Sequence, residues 1–235
     1  WNIVQNYFKK ISDLLFNALE SSEILILNFD AEETDFVRYN KSKIRQAGRV
    51  HQVSLDINLI KKGKTLRSSL RLSTEYKKDK TLLVRTLFFL RREVNELPKD
   101  PYLIYEKNIN SSNLIDDQGL NAQDMSSRIL DISSSHDMVG ILSSGKIIKG
   151  FANSLGQFNW HESDSFNFDW SLYDDDGKAV KQNYADRKWN QDTFTRLYAE
   201  SAQQLSVISN DEQKVEPGSY KVYLSPSALN EIIDM

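Results

Sequence analysis

The sequence predicts an α+β protein built as two domains of mainly antiparallel sheet with flanking helices. Runs of strand length alternate apolar with polar residues, and turn residues separate them. Stretches with helical spacing accompany these runs, so that each half pairs antiparallel strands with helices. A chain of 235 residues holds one large or two ordinary domains. The expected division is a first domain at residues 1–105, a linker at 106–121, and a second domain at 122–235 that leads into a further, C-terminal domain.

In residues 3–20, Val4, Phe8, Ile11, Leu15 and Ala18 recur at spacings of four and three, so one helix face is apolar. Ile24 to Phe29 reads as a short buried strand, and residues 34–48 as two strands about a turn at Asn40 to Ser42. Val53, Leu55, Ile57 and Leu59, then Leu66, Leu70 and Leu72, alternate on either side of Lys62-Gly63, which predicts a hairpin with one wet face. Leu83, Leu87, Leu90, Val94 and Leu97 restore the helical period until Pro98 ends it. The Asn-, Ser- and Asp-rich stretch 103–121 reads as the linker, followed by a short helix around Met125 to Leu130.

Next comes an antiparallel meander. Met138 to Leu142 and Lys146 to Phe151 flank Ser144-Gly145, and Phe158 to Tyr173 and Lys178 to Lys188 flank the turn at Gly177. A helix capped by Asn190 carries Phe194, Leu197, Tyr198, Ala202, Leu205 and Ile208. Glu216-Pro217-Gly218 then turns the chain into an expected strand, Tyr220 to Leu224, and Ser225-Pro226 opens a last helix striped by Leu229, Ile232 and Ile233. Beginning at Trp1 and stopping inside that apolar helix, the chain reads as a piece of a longer protein.

Composition excludes several classes. Without cysteine there is no thiolate catalysis, disulfide or cysteine-ligated metal, and the chain suits a cytoplasmic setting. No apolar run approaches bilayer length, so no membrane partner is expected. Asn40 and Asn110 begin glycosylation sequons of a kind that arises by chance.

His161-Glu162 resembles the start of a helical zinc-peptidase signature, but Ser165 and Phe166 stand where the second His is needed, and the alternation of Trp160, Phe166, Phe168 and Trp170 marks a strand. Asp174 to Gly177 lies in a run that lacks the first and twelfth carboxylates of a calcium loop, since Leu172 and Asn183 fall there. Ser133 to Asp137 groups serine, histidine and aspartate in one loop, where a hydrolase triad would draw them from across the fold. His51 shares strand parity with Val53 and Leu55, which places it at the edge of the core. Lys61, Lys62, Lys64, Arg67 and Arg71 concentrate positive charge on one hairpin, yet a formal net charge of −3 makes nucleic acid an unlikely partner.

The most unusual stretch is 150–160, GFANSLGQFNW. Gly150 and Gly156 interrupt apolar strand residues, where glycine costs stability unless the backbone bends or something approaches it closely. The stretch reads either as a barrel-like bend in a sheet or as a strand edge that lines a peptide groove, and on the second reading Asn153, Ser154, Gly156, Gln157 and Asn159 are the candidate peptide-groove residues.

This stretch through Tyr173, followed by KAVKQNYADRKW and PGSYKVYLSPSALNEII, resembles the amino-terminal half of the TldD/PmbA family. FVRYNKSKIRQAGRVHQVSLDINLIKKGK is similar to that family's opening strand and hairpin. The junction Gly218 to Pro226, with Ser219 as an extra residue, and the Asn153 to Gly156 strand match best. The resemblance implies a cytosolic zinc-dependent peptidase that cleaves flexible or unfolded polypeptide. It also implies a homo- or hetero-dimer of TldD/PmbA-type subunits, of which only the TldD type carries an HExxxH helix. That helix follows the LSP junction, so no cofactor, no metal ligand and no catalytic residue is expected in this chain, with zinc expected in the full assembly. The alternative is a non-catalytic PmbA-like interaction protein, such as a modulator of DNA gyrase or a partner scaffold.

Overall fold

A computed structural model describes residues 2–105, 109–115, 121–211 and 214–235. The amphipathic start forms helix α1 (Asn2–Phe16), which buries Phe8, Ile11 and Leu15 completely. Three strands follow, β1 (Glu23–Asn40), β2 (Lys43–Lys61) and β3 (Lys64–Arg71), then helix α2 (Tyr76–Glu93), whose last turn tightens to a 3-10 helix at Val94–Glu96 before Pro98. After β4 (Ser111–Ile115) and α3 (Ala122–Ser133) come β5 (Asp137–Asn153), β6 (Phe158–Tyr173), β7 (Ala179–Asp186), α4 (Gln191–Ile208) and α5 (Pro226–Ile233). The architecture is the α+β one expected.

The strands make one seven-stranded sheet in the order β3-β2-β1-β5-β6-β4, with β7 also pairing β6. Every pairing is antiparallel except β4 with β6. Because β1 lies beside β5, the runs of chain on either side of residues 106–121 share this sheet instead of building one each.

Side-chain parity splits the sheet into a covered and an open face. On the covered face, α1 and α2 pack on Leu25, Leu27, Phe29, Leu55, Ile57, Ile148 and Trp160, forming one core. Farther along the same strands, α3 and α4 pack on Val37, Tyr39, Leu142, Phe168, Trp170 and Leu172, forming a second. Both β1 and β5 contribute to both cores.

Four sequence expectations need correction. Residues 24–29 and 34–40 belong to one strand, β1. Ser144-Gly145 is not a turn, because β5 runs through it. A Cβ at Gly145 would lie 2.0 Å from the Glu33 carbonyl oxygen, so the glycine serves close approach of β1 to β5. Within the expected linker, residues 111–115 are β4. Tyr220 to Leu224 forms no strand and lies exposed, pairing with no edge of the sheet among the described residues.

Candidate functional site

The strongest candidate is the open face of the sheet. The helices that pack on the sheet among the described residues do so on the other side. One hollow in the open face, about 800 Å³, has an apolar floor of Phe36, Val50, Ile141 and Ile147, rimmed by Arg38 and Arg187. The Phe36 ring lies against Gly48, where a Cβ would meet it at 2.8 Å, and the Arg38 guanidinium sits over that ring at 5.8 Å. A second hollow of about 770 Å³ is polar, bounded by Asn113, Asn159, His161 and the ion pairs Lys149 with Asp30 and Arg67 with Asp56. A smaller one of about 380 Å³ shares Asp30, Lys149, Glu32 and Ile147 with its neighbours, so the three form one trough across the strands. Its size suits an extended chain, its floor can take apolar side chains, and its paired charges favour neither a polyanion nor a polycation.

The candidate groove residues from sequence lie in and beside the hairpin joining β5 to β6. Asn153 Oδ1 accepts from the amides of Leu155 and Gln157, both at 3.0 Å, and its Nδ2 donates to Gln157 Oε1 at 3.0 Å. Ser154 Oγ accepts from the Leu25 amide at 3.1 Å, joining the turn to the start of β1. Gly156 takes φ +99, the left-handed conformation that glycine adopts without strain. These three residues hold the hairpin. Gln157, buried, closes the hairpin with Asn153 and also donates from Nε2 to Asn159 Oδ1 at 2.9 Å, and Asn159 reaches outward, its Nδ2 donating to the Ile109 carbonyl at 2.8 Å and Ser111 Oγ at 2.7 Å.

The other motifs stay apart. His161 faces the open-side hollow, whereas Glu162 is buried on the covered side and accepts from Trp160 Nε1 at 2.7 Å. His136 Nδ1 lies 3.1 Å from Ser135 Oγ and 3.4 Å from the Tyr198 hydroxyl, a polar joint between α3, β5 and α4. Asp174 accepts from the Lys178 amide at 2.8 Å and from Ser209 Oγ at 2.6 Å, closing the hairpin whose Gly177 has φ +82. On the basic hairpin, Lys61 pairs with Glu20 and Glu23, Lys64 donates to the Asn95 carbonyl, and Arg67 pairs with Asp56.

One grouping was missed in the sequence. Between the two cores a polar row crosses the covered face: Glu33 stands beside His51 and Lys146, Asp35 beside Arg49, and Lys146 beside Asp164. Arg49 grips Asp35 through two bonds of 2.6 and 3.0 Å, which with burial opposing holds the Asp35 carboxyl below its ordinary range. Lys146 lies 3.4 Å from Asp164 and 3.8 Å from Glu162. His51 does share parity with the core but is exposed, since it stands past the end of the helical cover. Polar residues at core parity in adjacent strands are the signal that could have found this row, although joining them requires the register.

Neither a protein-family model nor a curated protein matches the sequence significantly. Solved structures do match it in fold. A proposed modulator of a DNA gyrase from Thermotoga maritima aligns with a TM-score of 0.57 at 15% identity, over 83% of this chain and 48% of that one. TldE from Thermococcus kodakarensis aligns at 0.58 and 9% identity, over 87% of this chain and 47% of its own. A proposed modulator of DNA gyrase from Bacteroides thetaiotaomicron aligns at 0.67 and 11% identity, over 98% and 55%. The fold is therefore that of TldE and of these gyrase-modulator proteins, as the sequence resemblance implied. The chain spans about half the length of each.

Proposed function

We propose that this chain is the substrate-enclosing and subunit-contacting portion of a TldD/PmbA-type metallopeptidase that degrades or matures flexible peptides, working as a cytoplasmic dimer. The observation that carries this reading is the trough on the open sheet face, uncovered among the described residues, with its apolar floor at one end and the ion pairs Lys149 with Asp30 and Arg67 with Asp56 at the other, in a fold shared with TldE. Such a trough suits unfolded polypeptide, whose exposed side chains vary while its extended backbone does not. No helix is long and apolar enough to cross a membrane among the described residues. Nor do three His, Asp or Glu side chains converge there as metal ligands. The described residues do not fit a zinc site, so no hydrolytic step is assigned to them. A second reading, a non-catalytic interaction protein that modulates DNA gyrase, is favoured by the names of two of the structural relatives.

The test uses the protein containing this chain, loaded with zinc together with its partner subunit, and an unstructured fluorogenic peptide. Ile147→Arg puts a charge on the trough floor and is expected to raise KM about tenfold while leaving kcat nearly unchanged. Absence of hydrolysis, or an unaltered KM in the variant, would overturn the peptidase reading. A change in gyrase supercoiling without any peptide cleavage would establish the second one.

A further inference from the structure

We propose that the outer edge of β6 at residues 159–163 is a strand-addition site for an extended peptide, and that β4 is the chain's own segment occupying it. Strand β4 pairs in parallel with this edge, from Ser111 beside Asn159 to Ile115 beside Ser163. It brings almost nothing else to the fold. Four of its five residues are exposed, none belongs to either core, and Leu114 is 62% exposed. A strand held by backbone pairing in the weaker parallel sense and by a few polar side-chain bonds opens more readily than one that shares a core.

Besides the backbone ladder, the bonds that hold β4 and the residues before it are one to backbone and two to small polar side chains. Asn159 Nδ2 donates to the Ile109 carbonyl at 2.8 Å and to Ser111 Oγ at 2.7 Å, and the Phe158 amide donates to Asn110 Oδ1 at 2.6 Å, so an extended chain with small polar residues can make them. Asn159 is aimed outward by the hairpin behind it, through Asn153 to Gln157 and Gln157 to Asn159. The amide clamp is thus built from the β5-β6 turn and remains in place when β4 leaves. Selectivity would come from alternate side chains. Ser111 and Asn113 line the polar hollow with His161, Lys149 and Asp30, so a peptide with small polar residues at those alternate positions fits.

Occupation by β4 makes binding in trans depend on the fraction of molecules in which the edge is free. This inference goes beyond the proposed function, because strand addition requires no hydrolysis and stands or falls on binding alone.

A fluorescein-labelled peptide with the sequence of residues 109–115 serves as the probe, with affinity to the full chain read by anisotropy. Asn113→Pro removes a strand amide from β4 while leaving the β6 edge intact, and should tighten binding by about tenfold or more. Since the chain has no cysteine, the pair Asn113→Cys and His161→Cys places a single disulfide across partners in register. Its oxidised form should lose binding and its reduced form regain it. Equal affinity in the oxidised and reduced forms, or no binding to the reduced form, overturns the proposal. So does an Asn113→Pro chain with unchanged far-ultraviolet circular dichroism that binds no more tightly than the unaltered one. Should that variant unfold, the disulfide pair decides alone.

Discussion

Glu23 opens β1 with its carboxylate fully enclosed, and three segments meet on it. Arg91 from α2 binds it through Nε and a terminal nitrogen, both at 2.8 Å, Lys61 from the end of β2 reaches it at 3.1 Å, and the Glu20 amide donates at 3.0 Å. Burial alone would raise its pKa, but the bonds from Arg91, the Glu20 amide and Lys61 outweigh it and hold the carboxyl at about 2. A depressed folded-state pKa means that the unfolded chain takes up the proton first. The stabilisation is therefore complete above about pH 4.5, the ordinary value, and is lost as pH falls toward about 2. Glu23→Gln should cost on the order of 2 kcal/mol at pH 7 and flatten the decline in stability between pH 5 and 2, measured by urea unfolding across that range. An unchanged acid limb would show that the cluster contributes nothing. At this scale the sequence reveals which face a residue takes, as for Trp160 and Phe168, but not that Lys61 and Arg91 converge on Glu23, because residues so far apart in the chain meet only through the register of the fold. Gly150 shows the same limit. Its oddity is visible in sequence, yet its cause is that a Cβ there would stand 2.9 Å from both Phe8 and Trp160, whose rings stack in the space it leaves.

Elements whose signals are local were the legible ones. Helix α4 begins where Asn190 is expected to cap it: its Oδ1 accepts from the Thr193 amide at 2.9 Å. The Asn190 amide in turn donates to the Tyr184 hydroxyl at 2.9 Å, so the cap also fixes the helix to β7. Asn190→Ala removes the cap but not the backbone bond, and should lower stability by about 1 kcal/mol, read as a reduced denaturant midpoint with an unchanged slope. A loss near zero would mean that water replaces the cap without cost. Elements that depend on distant pairing were harder to read. Strand β4 carries the Asn and Ser residues of a loop and becomes a strand only because β6 offers it an edge. At Gly145 a turn residue serves close contact between strands instead of a reversal, and local composition is the same in both cases. Tyr220 to Leu224 has strand composition without a partner edge, so composition alone misleads there in the opposite direction.

At the scale of the whole molecule, one sheet carries two cores separated by a polar row, and this arrangement decides how the chain unfolds. Strand β1 contributes Leu25, Leu27 and Phe29 to the first core and Val37 and Tyr39 to the second. Strand β5 likewise gives Ile148 and Ala152 to one and Met138 and Leu142 to the other. Losing either helical cover therefore exposes strands on which the other still depends. Two independently folding domains divided at residues 106–121 would behave differently, since damage on one side would leave the other intact. Leu87 in α2 is buried in the first core, and Leu87→Ala should cost about 2–5 kcal/mol through lost contacts and the cavity left behind. If the continuous strands couple the cores, native-state hydrogen exchange in that variant will show the same loss of opening free energy at β1 amides near residue 27 and near residue 37. If the polar row of Glu33, Asp35, Arg49 and Lys146 is instead a line of separation, exchange will accelerate near residue 27 and stay unchanged near residue 37. The first outcome makes the sheet one cooperative platform, able to hold the open-face trough rigid along its whole length, because strands that cannot part independently cannot change the curvature of one hollow without carrying the next.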